Sequence, residues 1–239
     1  MSDPAYAEDG EGTRTLELLE AAERYNRWLF SWIEPHLGGL NVEIGAGQGT
    51  LTTFALEKGQ VIATEPSRVG RSALERRFAG HSQLSAVLPN FFDVRPDASV
   101  DAVYSANVLE HVADDLALLE HAARVLRSGG RFVAVVPAGA WLYAPFDAAV
   151  GHQRRYTRAD RTRLTLGLAE RNIPLHFTSY SLKNPVGALG WLVKMRWLGA
   201  RAINPNDVKR VEVLVPLLRL LDPLPMPFGQ NLVMVLEKA

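Results

Sequence analysis

The 239-residue chain balances 26 Lys and Arg against 26 Asp and Glu, and 47% of it is hydrophobic. That length suits one large domain with a sizeable core, and zero net charge argues against a general nucleic-acid binder, whose affinity rests on many Lys/Arg–phosphate contacts. The absence of cysteine excludes disulfides, thiolate catalysis and cysteine-ligated metal centres.

Residues 1–13 are acidic and small and read as a disordered tail. They lack the basic start and apolar run of a signal peptide, and no run of 18 apolar residues follows that would span a membrane. A cytoplasmic location and no stable membrane insertion are expected. Residues 14–239 read as one domain. In 14–33 Leu18, Ala22, Tyr25, Leu29 and Trp32 recur at helical spacing, and Pro35 with Gly38-Gly39 ends the run. Strand-like runs at 40–44, 60–64, 83–88, 100–105 and 131–136 then alternate with helix-like runs at 50–58, 67–79 and 112–127, the last closed by Ser128-Gly129-Gly130. This alternation predicts a doubly wound α/β sheet, mostly parallel, with helices on both faces. Beyond it, Thr157 with Asp160 marks a helix start, 172–180 and 231–236 read as strands, and 181–229 reads as a mostly helical insertion containing helices at 186–199 and 207–221.

The sharpest local signal is Val42-Glu43-Ile44-Gly45-Ala46-Gly47-Gln48-Gly49, directly after the first strand and before a helix. Glycines there allow a tight turn and close approach of a ligand, and Glu65, at the end of the next strand, can accept both hydroxyls of a ribose. Dinucleotides and S-adenosylmethionine both use this geometry. The dinucleotide fingerprint places its third glycine where this chain has Thr50, and the acid Glu43 ahead of the glycines suits the ammonium end of a methionine moiety.

The run Glu43–Gly49 resembles the first motif of class I S-adenosylmethionine-dependent methyltransferases. The segment Val100–Val112 is similar to the fourth-strand motif of that family, and Leu126–Phe132 to the turn before its fifth strand. More weakly, Tyr25–Trp28 and Gly151–Thr157 resemble segments of a bacterial small-molecule branch, methyltransferase type 11-like. The resemblance implies a Rossmann-like, seven-stranded sheet whose last strand is antiparallel. It implies S-adenosylmethionine as cofactor, S-adenosylhomocysteine as product, and no metal. Carried over, Glu43, Gly45, Ala46, Gly47 and Gly49 line the methionine and ribose side. Glu65 holds the ribose, with Pro66 and Ser67 beside the adenine. Asn90 and Phe91 lie near the adenine; relatives commonly carry Asp there, and Asn90 offers a carbonyl oxygen instead. Asn107 sits near the sulfonium with Glu110 and His111.

On the acceptor side, His111 and His152 are candidate bases, since histidine titrates near neutral pH. Tyr25 offers a hydroxyl from a lid and Asp147 a carboxylate for an acceptor N–H or cation. Trp141, Tyr143 and Phe146, three aromatics within six residues, suggest a wall for a flat acceptor, with Trp28 and Tyr156 as further substrate contacts. The six histidines are scattered, with no H-x-x-x-H pattern, so no metal set is expected. The expected partner is a small, aromatic or indole-type metabolite of secondary metabolism, methylated on C, N or O; no motif carries the acceptor class. Monomer and homodimer stay open. The rivals are an NAD-dependent oxidoreductase on a similar sheet and a non-catalytic cofactor-binding module.

Overall fold

The computed structural model describes residues 21–97, 99–200 and 202–239. The expected tail at 1–13 and the start of the N-terminal helix, Leu18 included, lie outside these residues. The first described helix, α1 (Glu23–Phe30), buries Trp28, Leu29 and Phe30. The sheet strands are β1 (Leu40–Ile44), β2 (Gln60–Thr64), β3 (Leu84–Leu88), β4 (Val100–Ala106), β5 (Leu126–Pro137), β6 (Leu175–Lys183) and β7 (Asn231–Lys238). Between them run α2 (Thr50–Ala55), α3 (Arg68–Arg77), α4 (Asp115–Val125), α5 (Pro145–Ala149), α6 (Arg158–Glu170), α7 (Pro185–Trp191) and α8 (Pro205–Leu218).

The strand order is β3-β2-β1-β4-β5-β7-β6. β1 to β5 pair in parallel, and β7 is antiparallel to both β5 and β6. The order reverses between β1 and β4, which opens a crevice at the carboxyl ends of these strands. The apolar runs of β1, β4, β5 and β7 are buried on both faces, as a sheet covered on both sides requires. One core layer packs Leu118, Leu119, Phe132 and Leu164, and the other packs Trp28, Ile33, Leu74 and Tyr104.

Several expected boundaries move. The fourth-strand helix ends at Val125, three residues before Ser128. Leu126 turns extended because its side chain is buried and its backbone pairs with Val100, while Arg127 pairs with Asp101. Gly129 does adopt a positive φ, but in the bend within β5. The sixth strand begins at Leu175 and reaches Lys183, pinned along β7, so the insertion occupies 184–230. Its first helix, α7, runs on into a π-helical turn at Leu192–Trp197. α6 starts as the sequence implies: Asp160 accepts from the amide and hydroxyl of Thr157.

Candidate active site

At the crevice, Gly45, Gly47 and Gly49 all have positive φ (71°, 56° and 91°). A Cβ on Gly45 would fall 2.6 Å from Val108 Cγ2, so this turn lies directly against the segment after β4. A Cβ on Gly47 meets nothing within 4 Å, so the space above the loop is open. Glu65 braces this turn: one carboxylate oxygen accepts from Gly47 N at 2.8 Å and the other from Ser67 N at 2.7 Å. Each oxygen retains a second lone pair. Ser67 also caps α3 by accepting from Gly70 N, and Arg71 donates to the carbonyls of Glu65 and Pro66. Gly70 went unnoticed in the sequence, yet a Cβ there would lie 2.8 Å from Glu65 Cγ and 3.0 Å from Gly47 O.

Glu43 is buried below the loop, where Oε2 accepts from Thr52 Oγ1 (2.6 Å) and Tyr104 Oη (2.9 Å). Burial pushes its carboxyl up to about 7. Asn90 is exposed and its side-chain oxygen accepts from Phe92 N. Phe91 turns inward, edge-on to His121, while Phe92 is 52% exposed. This corrects the expectation that Phe91 lies beside a bound adenine, since core packing claims the first phenylalanine and presents the second.

Asn107, exposed at the end of β4, has φ 54°, a conformation uncommon outside glycine. The turn that follows carries Glu110 and His111. Glu110 is completely buried, neither carboxylate oxygen has a hydrogen-bond partner, and burial pushes its carboxyl up to about 8. Its full burial leaves no surface for a cofactor to touch, contrary to its assignment as a cofactor contact, and the group facing it is His152. His111 and His152 meet edge to face, ring centroids 4.8 Å apart. The loop of His152 is stitched to the same turn: Gln153 N donates to Glu110 O and Gln153 Nε2 to His111 O. So the structure brings together two histidines that lie 41 positions apart in sequence.

Asp147 is fully buried; Oδ1 accepts from Arg155 Nε and pairs with His152 Nδ1, both at 2.8 Å, and Oδ2 accepts from Ala144 N. Burial would raise this carboxyl, but His152 and Arg155 hold it below the usual range. Asp147 therefore positions His152 and has no face toward an acceptor, which corrects its expected role. Trp28 and Tyr156 are corrected likewise. Trp28 is fully buried and shares Asp222 with Trp32 through their indole N–H groups; Tyr156 is fully buried and donates to Asp115.

The expected aromatic wall is divided. Phe146 is buried against Trp191, Trp141 is 48% exposed with its edge toward Phe228, and the half-buried Tyr143 donates to His152 O. Trp191, from the insertion, also bonds Leu142 O and lies under the Arg155 guanidinium. Tyr25 is half-buried, its backbone held by Glu212 and its phenol pushed up by burial beside Asn231. Nearby, Arg154 and Arg163 converge on buried Asp115, and Arg155 pairs with Asp147.

Residues 42–132 match the model of a methyltransferase domain family. That stretch, under half of the chain, takes in the glycine-rich turn, Glu65 and the turn after β4. The fold of a geranyl diphosphate C-methyltransferase from Streptomyces coelicolor, solved with Mg2+, geranyl diphosphate and S-adenosylhomocysteine, superposes at TM-score 0.65, with 14% identity over 100% of this chain and 86% of that one. An S-adenosylmethionine-dependent methyltransferase from Mesorhizobium loti gives 0.56 and 15%, covering 85% of this chain and 93% of that one. Identities this low carry the fold alone. A 37.1 kDa protein of unassigned function from a transposon of Streptomyces fradiae is 31% identical over 126 residues, or 49% of this chain; the match spans 36% of that protein's length. The open space above Gly47 and the second lone pairs of Glu65 fit a bound nucleoside cofactor.

Proposed function

We propose that this chain transfers a methyl group from S-adenosylmethionine to a small-molecule acceptor held between the turns after β4 and β5 and the 184–230 insertion. The observation that carries it is the open left-handed turn at Gly47, braced by Glu65 at the switch point of the sheet. When bound, the cofactor supplies an activated, electrophilic methyl group. The chain supplies position. Glu65 accepts from the ribose hydroxyls with the lone pairs that Gly47 and Ser67 leave over. Glu43, buried beneath the loop, offers an acceptor oxygen on the side of the methionine ammonium, and Asn90 with the Pro66–Ser67 turn borders the adenine. Asn107 presents its backbone and amide toward the methyl.

The chain's remaining work is to align the acceptor, since orientation alone is worth roughly 7–11 kcal/mol in such reactions. A hydroxyl acceptor must also lose a proton, and His111 and His152 are the groups at hand. Asp147 fixes the ring of His152 by holding Nδ1. Exposed Trp141, with Phe228 and Tyr143, offers flat apolar surface at the mouth, which favours an acceptor with an aromatic or other planar apolar part.

The test is thermal denaturation with S-adenosylhomocysteine and, separately, NAD. A ligand at a hundredfold its dissociation constant adds about 2.7 kcal/mol, which for a chain of this size is roughly 5–10 °C. Stabilisation by S-adenosylhomocysteine alone supports the reading, and transfer of labelled methyl to a panel of hydroxylated and amino aromatics then identifies the acceptor. Stabilisation by NAD alone, or by neither, refutes it.

A further inference from the structure

Below the proposed acceptor space lies a polar cluster that methyl transfer by itself does not require. Glu110 is fully buried and both its carboxylate oxygens lack a hydrogen-bond partner. Native proteins rarely leave such a group unsatisfied. What faces it is His152, whose Nε2 stands 3.7 Å from Glu110 Oε1. The other nitrogen of that ring, Nδ1, lies 2.8 Å from Asp147 Oδ1. Asp147 also takes Arg155 and the Ala144 amide, so it is an engaged, ionised carboxylate and an acceptor toward Nδ1. The proton of a neutral His152 therefore sits on Nδ1, and Nε2 aims a lone pair at a carboxylate. Without a cation a proton must lie between these two groups, and a metal ion can take its place.

The third group is His111. One ligand atom from each of Glu110, His111 and His152 lies within 4.8 Å of the other two. Four-coordinate zinc at bond lengths of about 2.0–2.2 Å keeps its ligand atoms roughly 3.4 Å apart. The Glu110–His152 pair is already close to that spacing, and small side-chain rotations bring in the third. The surrounding charge does not oppose a cation: Arg155 is committed to Asp147 and stacked over Trp191. The remaining titratable neighbour, Tyr143, donates its hydroxyl to His152 O.

We propose that Glu110, His111 and His152 bind a divalent transition-metal ion. Two imidazoles and one carboxylate favour the zinc, cobalt and nickel class over magnesium or calcium, which prefer all-oxygen shells. The Asp147–His152 pair is the outer carboxylate that histidine ligands commonly carry. Three protein ligands leave a coordination position open. Val108, on the same turn, touches Gly45 of the cofactor loop, so that position neighbours the methyl-transfer space. There the ion would take an acceptor oxygen and lower the pKa of a hydroxyl, so that no free imidazole base is needed. This last consequence rests on the proposed function; the binding site does not.

The experiment uses the full chain, stripped with chelator and titrated with Co2+ while visible d–d absorption is followed, with Zn2+ and Mg2+ titrations by calorimetry in parallel. The expected result is saturable Co2+ bands of a low-coordinate site, Zn2+ competing for it, and no comparable Mg2+ binding. Glu110→Gln and His152→Gln, both close in shape, are each expected to abolish the bands. Asp147→Asn is expected to weaken binding about 10–100-fold. Absence of bands and heat in the wild-type chain overturns the proposal, as a proton rather than a metal ion would then lie between Glu110 and His152. Bands that persist in both ligand variants overturn it too. Stabilisation of the stripped protein by S-adenosylhomocysteine is measured alongside. Cofactor binding without metal binding refutes only this inference, and metal binding without cofactor binding refutes only the methyl-transfer reading.

Discussion

Replacing Glu65 by Gln changes one atom in the brace of the cofactor turn, and its effects on the free and ligand-bound protein separate. In the free protein each carboxylate oxygen accepts one backbone N–H, from Gly47 and from Ser67. A glutamine can keep one of these; its NH2 must face the other donor. Leaving one such N–H unsatisfied costs about 1–3 kcal/mol, which a urea titration resolves. With ligand bound, the substitution also removes one charge-assisted acceptor from the ribose hydroxyls, worth about 1.5–3 kcal/mol. The dissociation constant for S-adenosylhomocysteine, measured by calorimetry, is therefore expected to rise about 10–150-fold. An affinity within about threefold of wild type, below 0.7 kcal/mol, with the stability loss intact would show that Glu65 only holds the turn. The ribose assignment would then fall.

Three further outcomes follow from the same site. Gly47→Ala places a methyl in open space but forces a non-glycine residue to hold φ 56°, so it is expected to cost about 1–2 kcal/mol of stability while weakening S-adenosylhomocysteine binding well beyond that; unchanged affinity would show that nothing binds over the turn. Glu43 carries a folded-state pKa of about 7 against an ordinary 4.5, so the folded chain keeps a proton the unfolded chain has released. Its contribution to stability therefore falls as pH rises from about 4.5 to about 7, by roughly 1.4 kcal/mol per unit. Glu43→Gln should flatten that slope in pH-dependent urea titrations, and an unchanged slope would assign it elsewhere. Trp28→Phe should lower stability by about 1–3 kcal/mol through lost packing and a lost bond to Asp222 and leave the acceptor KM unchanged; a raised KM would restore Trp28 to the substrate site.

The parts of this chain legible in its sequence are those in which one residue type answers one local demand. The glycines at 45, 47 and 49 sit at positive φ, and no other residue suits all three. Thr157 and Asp160 meet across one helical turn. Glu65 could be placed because a strand end and a ribose acceptor share a known separation along the chain. Contacts that depend on side-chain direction were not legible. Phe91 and Phe92 are neighbours that both pack on His121, and only the core around Phe91 decides which turns inward. Tyr156 looks like a ligand contact beside His152, but buried Asp115 draws its hydroxyl into the core. Asp147 seemed free to meet an acceptor until Arg155, eight residues on, folded back onto it. The Glu110–His111–His152 cluster was hidden for a related reason, because its members come from two turns and metal patterns in sequence are recognised by regular spacing within one.

The placement of β7 between β5 and β6 has a consequence for the order in which the molecule can be completed. The parallel half of the sheet, β1 to β5, is encoded by residue 137 and can assemble while the rest of the chain is still being synthesised. β6 cannot join it, because its hydrogen-bonding partner is β7, whose residues 231–238 are made after the insertion. Until they arrive, β5 offers an open edge, and the Trp191 segment that covers Leu142 and Phe146 is tethered to a strand with nowhere to dock. The acceptor side of the crevice thus takes shape after the cofactor side. A nascent chain would be able to grip a nucleoside cofactor before it could enclose anything to modify.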